Sequence, residues 1–352
     1  MKLSGNKGEW SELYVLLKLL SEGKIYSATE DLQRRENCWF PILKVFRAEN
    51  KLHHVKYIKS EKNQVELYLN DVFVSKIETS ELEIYAKKFF DGITANTGAF
   101  EIDGSESIME SLKCTKIRAD SSDKTDIKME IHDPFTNFER ICGFSIKSDL
   151  GSSPTLFNAS KSTNFKFEVS GIDDNEMEEL NAINTRTKII DRMNRIKKLN
   201  FISVVNKTFS KNLMFIDTQM EKFLAEMLKI FYKENISDCA ELVSLLDRTD
   251  PLNFEVDNIY KHKLKKFLCA VALGLMPTKK WDGLDEANGG YIIVKESGEV
   301  LAYHLHDRDS FENYLLNNTK LEKGSTDKHD FGKIYVEDDR KFINLNLQVR
   351  FK

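Results

Sequence analysis

From Lys124 to Ser148 the chain reads KTDIKMEIHDPFTNFERICGFSIKS, and this stretch limits the possible folds more than any other. Ile127, Met129 and Ile131 alternate with polar residues, which is the period of a half-buried strand. Asp133-Pro134 and Thr136-Asn137 then turn the chain. A second apolar run, Ile141 to Ile146, returns beside the first. The predicted hairpin carries a carboxylate, Asp126, at the start of one strand and an ammonium, Lys147, at the end of the other. Their tips are expected to meet at one end of the sheet.

That pairing has a chemical use. Mg2+ keeps several waters and takes one or two protein carboxylates while a phosphate completes its shell. The metal lowers the pKa of a bound water and neutralises charge on the phosphorus, and a nearby lysine orients the attacking water or stabilises the same charge. The chemistry that follows is metal-assisted phosphodiester hydrolysis.

Asp126 with Ser145-Ile146-Lys147 resembles the motif of the PD-(D/E)xK nuclease superfamily. More narrowly, GNKGEWSELY, GFSIKSDLGSSPTLFNAS, GGYIIVKESGEVLAYHLHDRDSF and NNTKLEKGSTDKHDFGKIY resemble the HpaII-like family of type II restriction endonucleases, in order and over nearly the whole chain. The resemblance implies an α/β (α+β) fold with a PD-(D/E)xK restriction-endonuclease-like core, a mixed sheet flanked by helices. The division read from the sequence is a nuclease core at 1–170, with an inserted small sheet and helix at about 38–120, and a helical then β-rich DNA-recognition region at 171–352.

The implied activity is that of a Mg2+-dependent site-specific deoxyribonuclease (EC 3.1.21.4), cutting unmethylated duplex DNA at a short palindrome of the CCGG type. Such an enzyme requires a cognate DNA methyltransferase, and a palindrome favours a homodimer. Asp126 would bind metal and Lys147 would activate water. Ser145 stands where the family motif carries its second acid, and a neutral group contributes little to holding a dication. The missing ligand is expected from Glu9 or Glu12, since superfamily members often supply a glutamate from the first helix; Glu168 is a third candidate.

Composition sets the outer limits. The 352 residues are 41% hydrophobic and 31% charged, as in soluble globular proteins. No apolar run approaches a membrane span, and the opening Met1-Lys2-Leu3-Ser4 starts no signal peptide, so a cytoplasmic location is expected. Five widely spaced cysteines argue against disulfides and zinc. A net charge of -4 puts any DNA contact on local clusters of basic residues.

Along the chain, Trp10, Leu13, Tyr14, Leu17 and Leu20 predict a first helix over 5–22, ended by Gly23. Asn6 and Glu9 have capping-box spacing, so Glu9 has a purely structural reading beside the metal-binding one. Strands are expected at Phe40–Arg47, Val55–Lys59 and Val65–Ile77, the last broken near Asn70-Asp71. A helix capped by Ser80 should follow. His53 and His54 point to opposite faces and do not suggest a shared metal.

A short helix is expected at Leu156–Ser160 and a strand at Phe165–Val169. Ser148, Ser153, Thr155, Asn158 and Lys161 are either an ordinary polar loop or contacts to the DNA backbone. Five acidic residues in 173–179 and six basic ones in 186–198 read as a solvated helix favourable to its own dipole, or as a basic face presenting Arg192 and Arg195 to DNA. Thr218–Tyr232, with Thr218 as cap, and His262–Gly274 are scaffold helices. Ser325, Thr326, Lys328 and His329 lie on a polar segment suited to phosphates and base edges. His304 and His306 share a strand face and read as a structural pair.

Two rival functions share these features. One is a PD-(D/E)xK nuclease of DNA repair or phage defence. The other is a sequence-specific DNA-binding protein with a degenerate nuclease fold, suggested by Ser145 in place of an acid.

Overall fold

The computed structural model describes residues 3–50, 52–60, 62–119, 125–304 and 307–352, in two compact units. Lys124 and His306 lie outside the described residues, as does the side chain of His304. One unit comprises Met1–Pro154 with Glu286–Phe311, the other Thr155–Asp285 with Glu312–Lys352.

The first unit opens with β1 (Gly5–Asn6) and α1 (Lys7–Glu22). The five apolar positions that predict this helix are all buried, and Gly23, at φ 64°, ends it by donating its N–H to Leu19 O at 2.8 Å. A meander follows: β2 (Lys24–Ala28), β3 (Arg34–Ala48), β4 (His54–Lys59), β5 (Gln64–Leu69) and β6 (Val72–Glu78). Asn70 and Asp71, with φ of 49° and 66°, make the β5–β6 turn, so the expected break is a tight hairpin. Helix α2 (Thr79–Ala95) starts after Glu78, one residue ahead of the expected Ser80 cap, and has no side-chain cap. Then come β7 (Ala99–Phe100), α3 (Ser105–Ser111) and the predicted hairpin, β8 (Ile127–Asp133) with β9 (Phe138–Ser148).

The second unit begins with β10 (Thr155–Phe157), where the sequence predicted a helix; pairing with a C-terminal strand holds it extended. It continues through β11 (Asn164–Ser170), α4 (Asp174–Ala182), α5 (Lys188–Arg195), β12 (Lys198–Val204), α6 (Lys207–Ile216), α7 (Met220–Glu234), α8 (Cys239–Thr249) and α9 (Ile259–Leu273). The acidic and basic runs are thus two helices rather than one. Helix α7 starts two residues after Thr218, because Asp217 Oδ1 accepts the Gln219 N–H at 2.7 Å and takes over the turn. The chain then supplies β13 (Gly290–Val294) and β14 (Val300–His304) to the first unit. After α10 (Arg308–Asn317) it closes with β15 (Thr319–Leu321), α11 (Thr326–His329), β16 (Ile334–Glu337), β17 (Arg340–Asn346) and β18 (Val349–Phe351).

In the first unit the strand order is β2-β14-β13-β9-β8-β3-β4-β5-β6, and β2 also pairs with β3, closing the first six strands into a barrel. The sheet is mixed: β13–β9 and β14–β2 are parallel, the other pairs antiparallel. The strands of 38–120 therefore do not form a separate small sheet. Strand β3 is 15 residues long, enough to pair with β2 through Arg34–Pro41 and with β8 and β4 beyond it. Ile146, Ile292 and Val294 share one core with Trp10, Leu13 and Leu17 of α1, so strand alternation turns Ser145 and Lys147 to the opposite face. Polar contacts fix α1 on this sheet. Trp10 Nε1 donates to Phe100 O at 3.0 Å, Lys7 Nζ to Leu150 O at 2.8 Å, and Ser11 Oγ to Ser148 Oγ at 2.8 Å.

The second unit holds an antiparallel sheet β12-β11-β17-β16 and a small sheet β10-β18-β15. Strand β11, grouped with the core when the sequence is divided at 170, pairs here with β12 and β17; β13 and β14, grouped with the C-terminal region, belong to the first unit. No local sequence signal records such long-range pairing.

Arg192 also departs from its sequence reading. Its side chain is buried, with Nε donating to Leu180 O at 2.8 Å and Nη2 to Asn181 O at 3.0 Å and Ile183 O at 2.8 Å. Nη1 donates to Gly332 O. The guanidinium ties the end of α4 to the 332 turn and is not a DNA contact. Arg192→Met takes the donor from four carbonyls, two of them in fully buried contacts, and is expected to lower the unfolding free energy by about 3 kcal/mol or more in urea titrations; a loss under about 0.5 kcal/mol would contradict this role.

Candidate catalytic site

The hairpin register sets the first carboxylate. Asp126 immediately precedes β8 and donates its N–H to Phe144 O at 2.9 Å. Gly143 makes room for this entry: a Cβ there would come within 2.7 Å of Thr125 Cγ2. Asp126 Oδ2 accepts from Ser145 Oγ at 3.0 Å and from Ile146 N at 2.8 Å. The neutral residue at the motif's acidic position thus orients the first carboxylate instead of supplying a second.

Glu12 of α1 brings a second carboxylate next to Asp126. Arg118 bridges the two, with Nη2 3.4 Å from Asp126 Oδ1 and Nε 3.3 Å from Glu12 Oε1. The Glu12 and Asp126 side chains are 13% and 10% exposed, whereas Arg118 is 57% exposed and sits on the solvent side. Glu12, Leu16, Phe46, Arg47, Asp126 and Ile127 line one small cavity. Burial first, and the Asp126 charge second, push the Glu12 pKa up to about 7, against the cations Arg118, Arg47 and Lys147.

Lys147 completes the group. Register places it opposite Ile293 of the parallel strand β13, and Nζ lies 5.4 Å from the centre of the Tyr291 ring. Burial draws its pKa below the ordinary lysine value, while Asp126 and Glu12 oppose that shift. The residue is half-buried, with its ammonium over the Tyr291 face.

Two of the three glutamate candidates are engaged elsewhere. Glu9 Oε2 accepts the Asn6 N–H at 2.9 Å and Asn6 Oδ1 accepts the Glu9 N–H at 3.0 Å, which is the capping box. Glu168 lies on β11 in the second unit and pairs with Arg340 at 3.6 Å. Among the described residues no three His, Cys, Asp or Glu side chains are grouped to hold a metal. The available donor set is the two carboxylates Glu12 and Asp126. Their facing oxygens already share one cation, the Arg118 guanidinium, and this number of carboxylates suits Mg2+.

The residues read as DNA contacts fall into separate settings. In the first unit Ser148 Oγ is bonded to Ser11, and Ser153 lies on the segment beyond it. In the second unit, two distant stretches of sequence come together. Lys161 Nζ is 3.6 Å from Asp330 Oδ2, and Asn164 Nδ2 donates to His329 O at 2.9 Å and Asp330 O at 3.1 Å. This joins Lys161 to the turn carrying Ser325, Thr326, Lys328 and His329, in which Ser325 Oγ accepts the Lys328 N–H at 3.4 Å and caps α11. Asn158 is exposed, Thr155 is in β10, and Arg195 pairs with Glu179 at 3.4 Å.

Neither Arg118 nor Arg47 is a site candidate in the sequence reading. Neither lies in a motif or at a spacing that marks it: Arg47 is on β3, and Arg118 follows the backbone at 115–117 that Arg47 and Glu49 hold.

The model of the HpaII restriction endonuclease family matches residues 6–351. The type II restriction enzyme HpaII of Haemophilus parainfluenzae is 39% identical over 356 aligned positions, which cover 99% of this chain and 98% of that enzyme. No solved structure matches the chain. The chain belongs to the HpaII restriction endonuclease family.

Proposed function

We propose that this protein is a Mg2+-dependent type II restriction endonuclease that hydrolyses phosphodiester bonds in unmethylated duplex DNA at a short palindrome of the CCGG type. One observation carries the reading: in a member of this family, Glu12 and Asp126 face one shared cation beside Lys147. The case for a PD-(D/E)xK core rests on the same elements, a hairpin presenting Asp126 and Lys147 in a mixed sheet with α1 packed on it. The partners that follow are duplex DNA and a cognate methyltransferase protecting the host genome in the cytoplasm, with a homodimer matching a palindromic site.

In this reading Glu12 and Asp126 hold the metal. When bound, Mg2+ supplies Lewis-acid stabilisation of the charge developing on the phosphoryl oxygens and a lowered pKa for water. Ser145 Oγ and the Ile146 N–H keep Asp126 oriented. Lys147 Nζ orients the attacking water and stabilises the same developing charge. The patch of Lys161 with Ser325, Thr326, Lys328 and His329 is read as a contact to DNA phosphates or base edges.

Digestion of unmethylated phage DNA tests this. Wild type with Mg2+ should give discrete fragments mapping to one short sequence, and EDTA should abolish them. Asp126→Ala, Lys147→Ala and Glu12→Gln should each slow cleavage by at least about 100-fold, while Glu9→Gln should retain it. Loss in Glu9→Gln with none in Glu12→Gln would overturn the assignment. Structure-dependent or end-dependent cutting would favour a repair or defence nuclease, and site-specific binding without cutting would favour a degenerate fold.

The raised Glu12 pKa gives a second, metal-free test. A carboxyl raised from 4.5 to about 7 keeps, when folded, a proton that the unfolded chain has lost. Its cost is absent below about pH 4.5, grows as pH rises towards 7, and is then constant at on the order of 3 kcal/mol. Glu12→Gln should therefore raise the melting temperature at pH 8.5 and leave it unchanged near pH 4.5. Mg2+ affinity of the wild type should climb with pH through about 7. A melting difference independent of pH would contradict the burial of a strained carboxylate.

A further inference from the structure

Asp126 has one carboxylate oxygen satisfied within the fold, since Oδ2 takes both the Ser145 hydroxyl and the Ile146 N–H. Oδ1 and the neighbouring Glu12 Oε1 are left to one guanidinium, with one nitrogen of Arg118 directed at each. Both contacts are long for charge-assisted hydrogen bonds, and Arg118 is the exposed member of the trio. The backbone leading to it is held firmly. Glu49 Oε2 accepts from Thr115 N and Thr115 Oγ1, each at 2.6 Å. The buried Arg47, ion-paired to Glu49 at 2.5 Å, donates to Lys116 O at 2.5 Å and Ile117 O at 3.2 Å. A backbone held at 115–117 thus leads to one exposed side chain placed over two largely buried carboxylates.

We propose that Arg118 is an exchangeable counter-cation: it neutralises Glu12 and Asp126 until a divalent metal takes their oxygens, and its released guanidinium then pairs with the DNA phosphate at the site. The inference rests on the metal-binding reading above. Guanidinium and dication compete for the same two oxygens, so each weakens the other's hold. Once displaced, the side chain stays within reach on this held backbone. A phosphate presents the planar pair of acceptors that suits arginine better than lysine. On this account Arg118 weakens metal binding while the site lacks DNA and contacts the DNA phosphate once the metal is held.

The test uses the full chain at pH 8.5, where Glu12 is ionised. Mg2+ titrated calorimetrically without DNA should bind Arg118→Ala at least about fivefold tighter than wild type. Glu12→Gln should remove binding from both. Duplex DNA carrying the cleavage site should then be titrated with Mg2+ into Lys147→Ala, with and without Arg118→Ala. The double variant should bind the duplex more weakly although it holds metal more tightly. Arg118→Gln, which keeps the side-chain bulk, should behave as Arg118→Ala does. Equal or weaker Mg2+ binding in Arg118→Ala would overturn the competition. Unchanged duplex affinity would overturn the transfer to phosphate. Absence of Mg2+ binding in every protein would contradict the metal reading itself, and this inference with it.

Discussion

Two carboxylates held side by side in a mostly dry site are the constraint on which the first unit turns. Left alone they repel, and their burial weakens the screening that solvent would give. Glu12 carries the strain, with its pKa pushed up to about 7 by burial and by Asp126. Asp126 is kept in place by the donor hydroxyl of Ser145 and by a backbone N–H. The cations Arg118, Arg47 and Lys147 all act to keep Glu12 charged. Such an arrangement costs stability and persists because the surrounding structure over-determines it.

That over-determination comes from α1 and the closed sheet. The helix is buried over most of its circumference, with Trp10, Leu13, Val15, Leu16 and Leu17 all at or below 2% exposure. Its indole, ammonium and serine hydroxyl are each bonded to other elements of the unit. A helix so held cannot rotate Glu12 away from Asp126. On the other side, the parallel pairing of β13 with β9 fixes the strand that carries Lys147 and lays Tyr291 against its ammonium. The sequence leaves this unit at Pro154 and returns at Glu286, so the site is complete only when a distant segment has folded back.

Much of the site is legible in the sequence because it rests on local pattern. Alternation over Ile127–Ile131 and Ile141–Ile146 places Asp126 and Lys147 at adjoining strand ends, and helical spacing brings Glu9 and Glu12 forward together. Choosing between those two needs tertiary information: capping-box spacing favours a structural Glu9, but only the packing of α1 shows that Glu12 lies beside Asp126. Arg118 carries no signal at all, since its approach depends on Arg47 and Glu49 gripping the backbone at 115–117. The same limit explains the fold. Strands of the 38–120 region are visible individually, but their fusion with the main sheet depends on β3 being long enough to serve two sets of neighbours. Arg192 reads as a surface cation within a basic run, and only three-dimensional packing reveals four carbonyls around it. Conversely, Lys161 and the Ser325–His329 turn are unrelated in sequence and adjacent in the folded unit.

The central claim is that Glu12 replaces the acid missing at Ser145 as partner to Asp126. A crystal structure of the protein soaked with Mn2+, with data collected at the manganese absorption edge, tests it most directly. The account predicts an anomalous peak bonded to carboxylate oxygens of both Glu12 and Asp126, with the Glu9 capping box intact. A peak bonded to Glu9, or to Asp126 without Glu12, would contradict it.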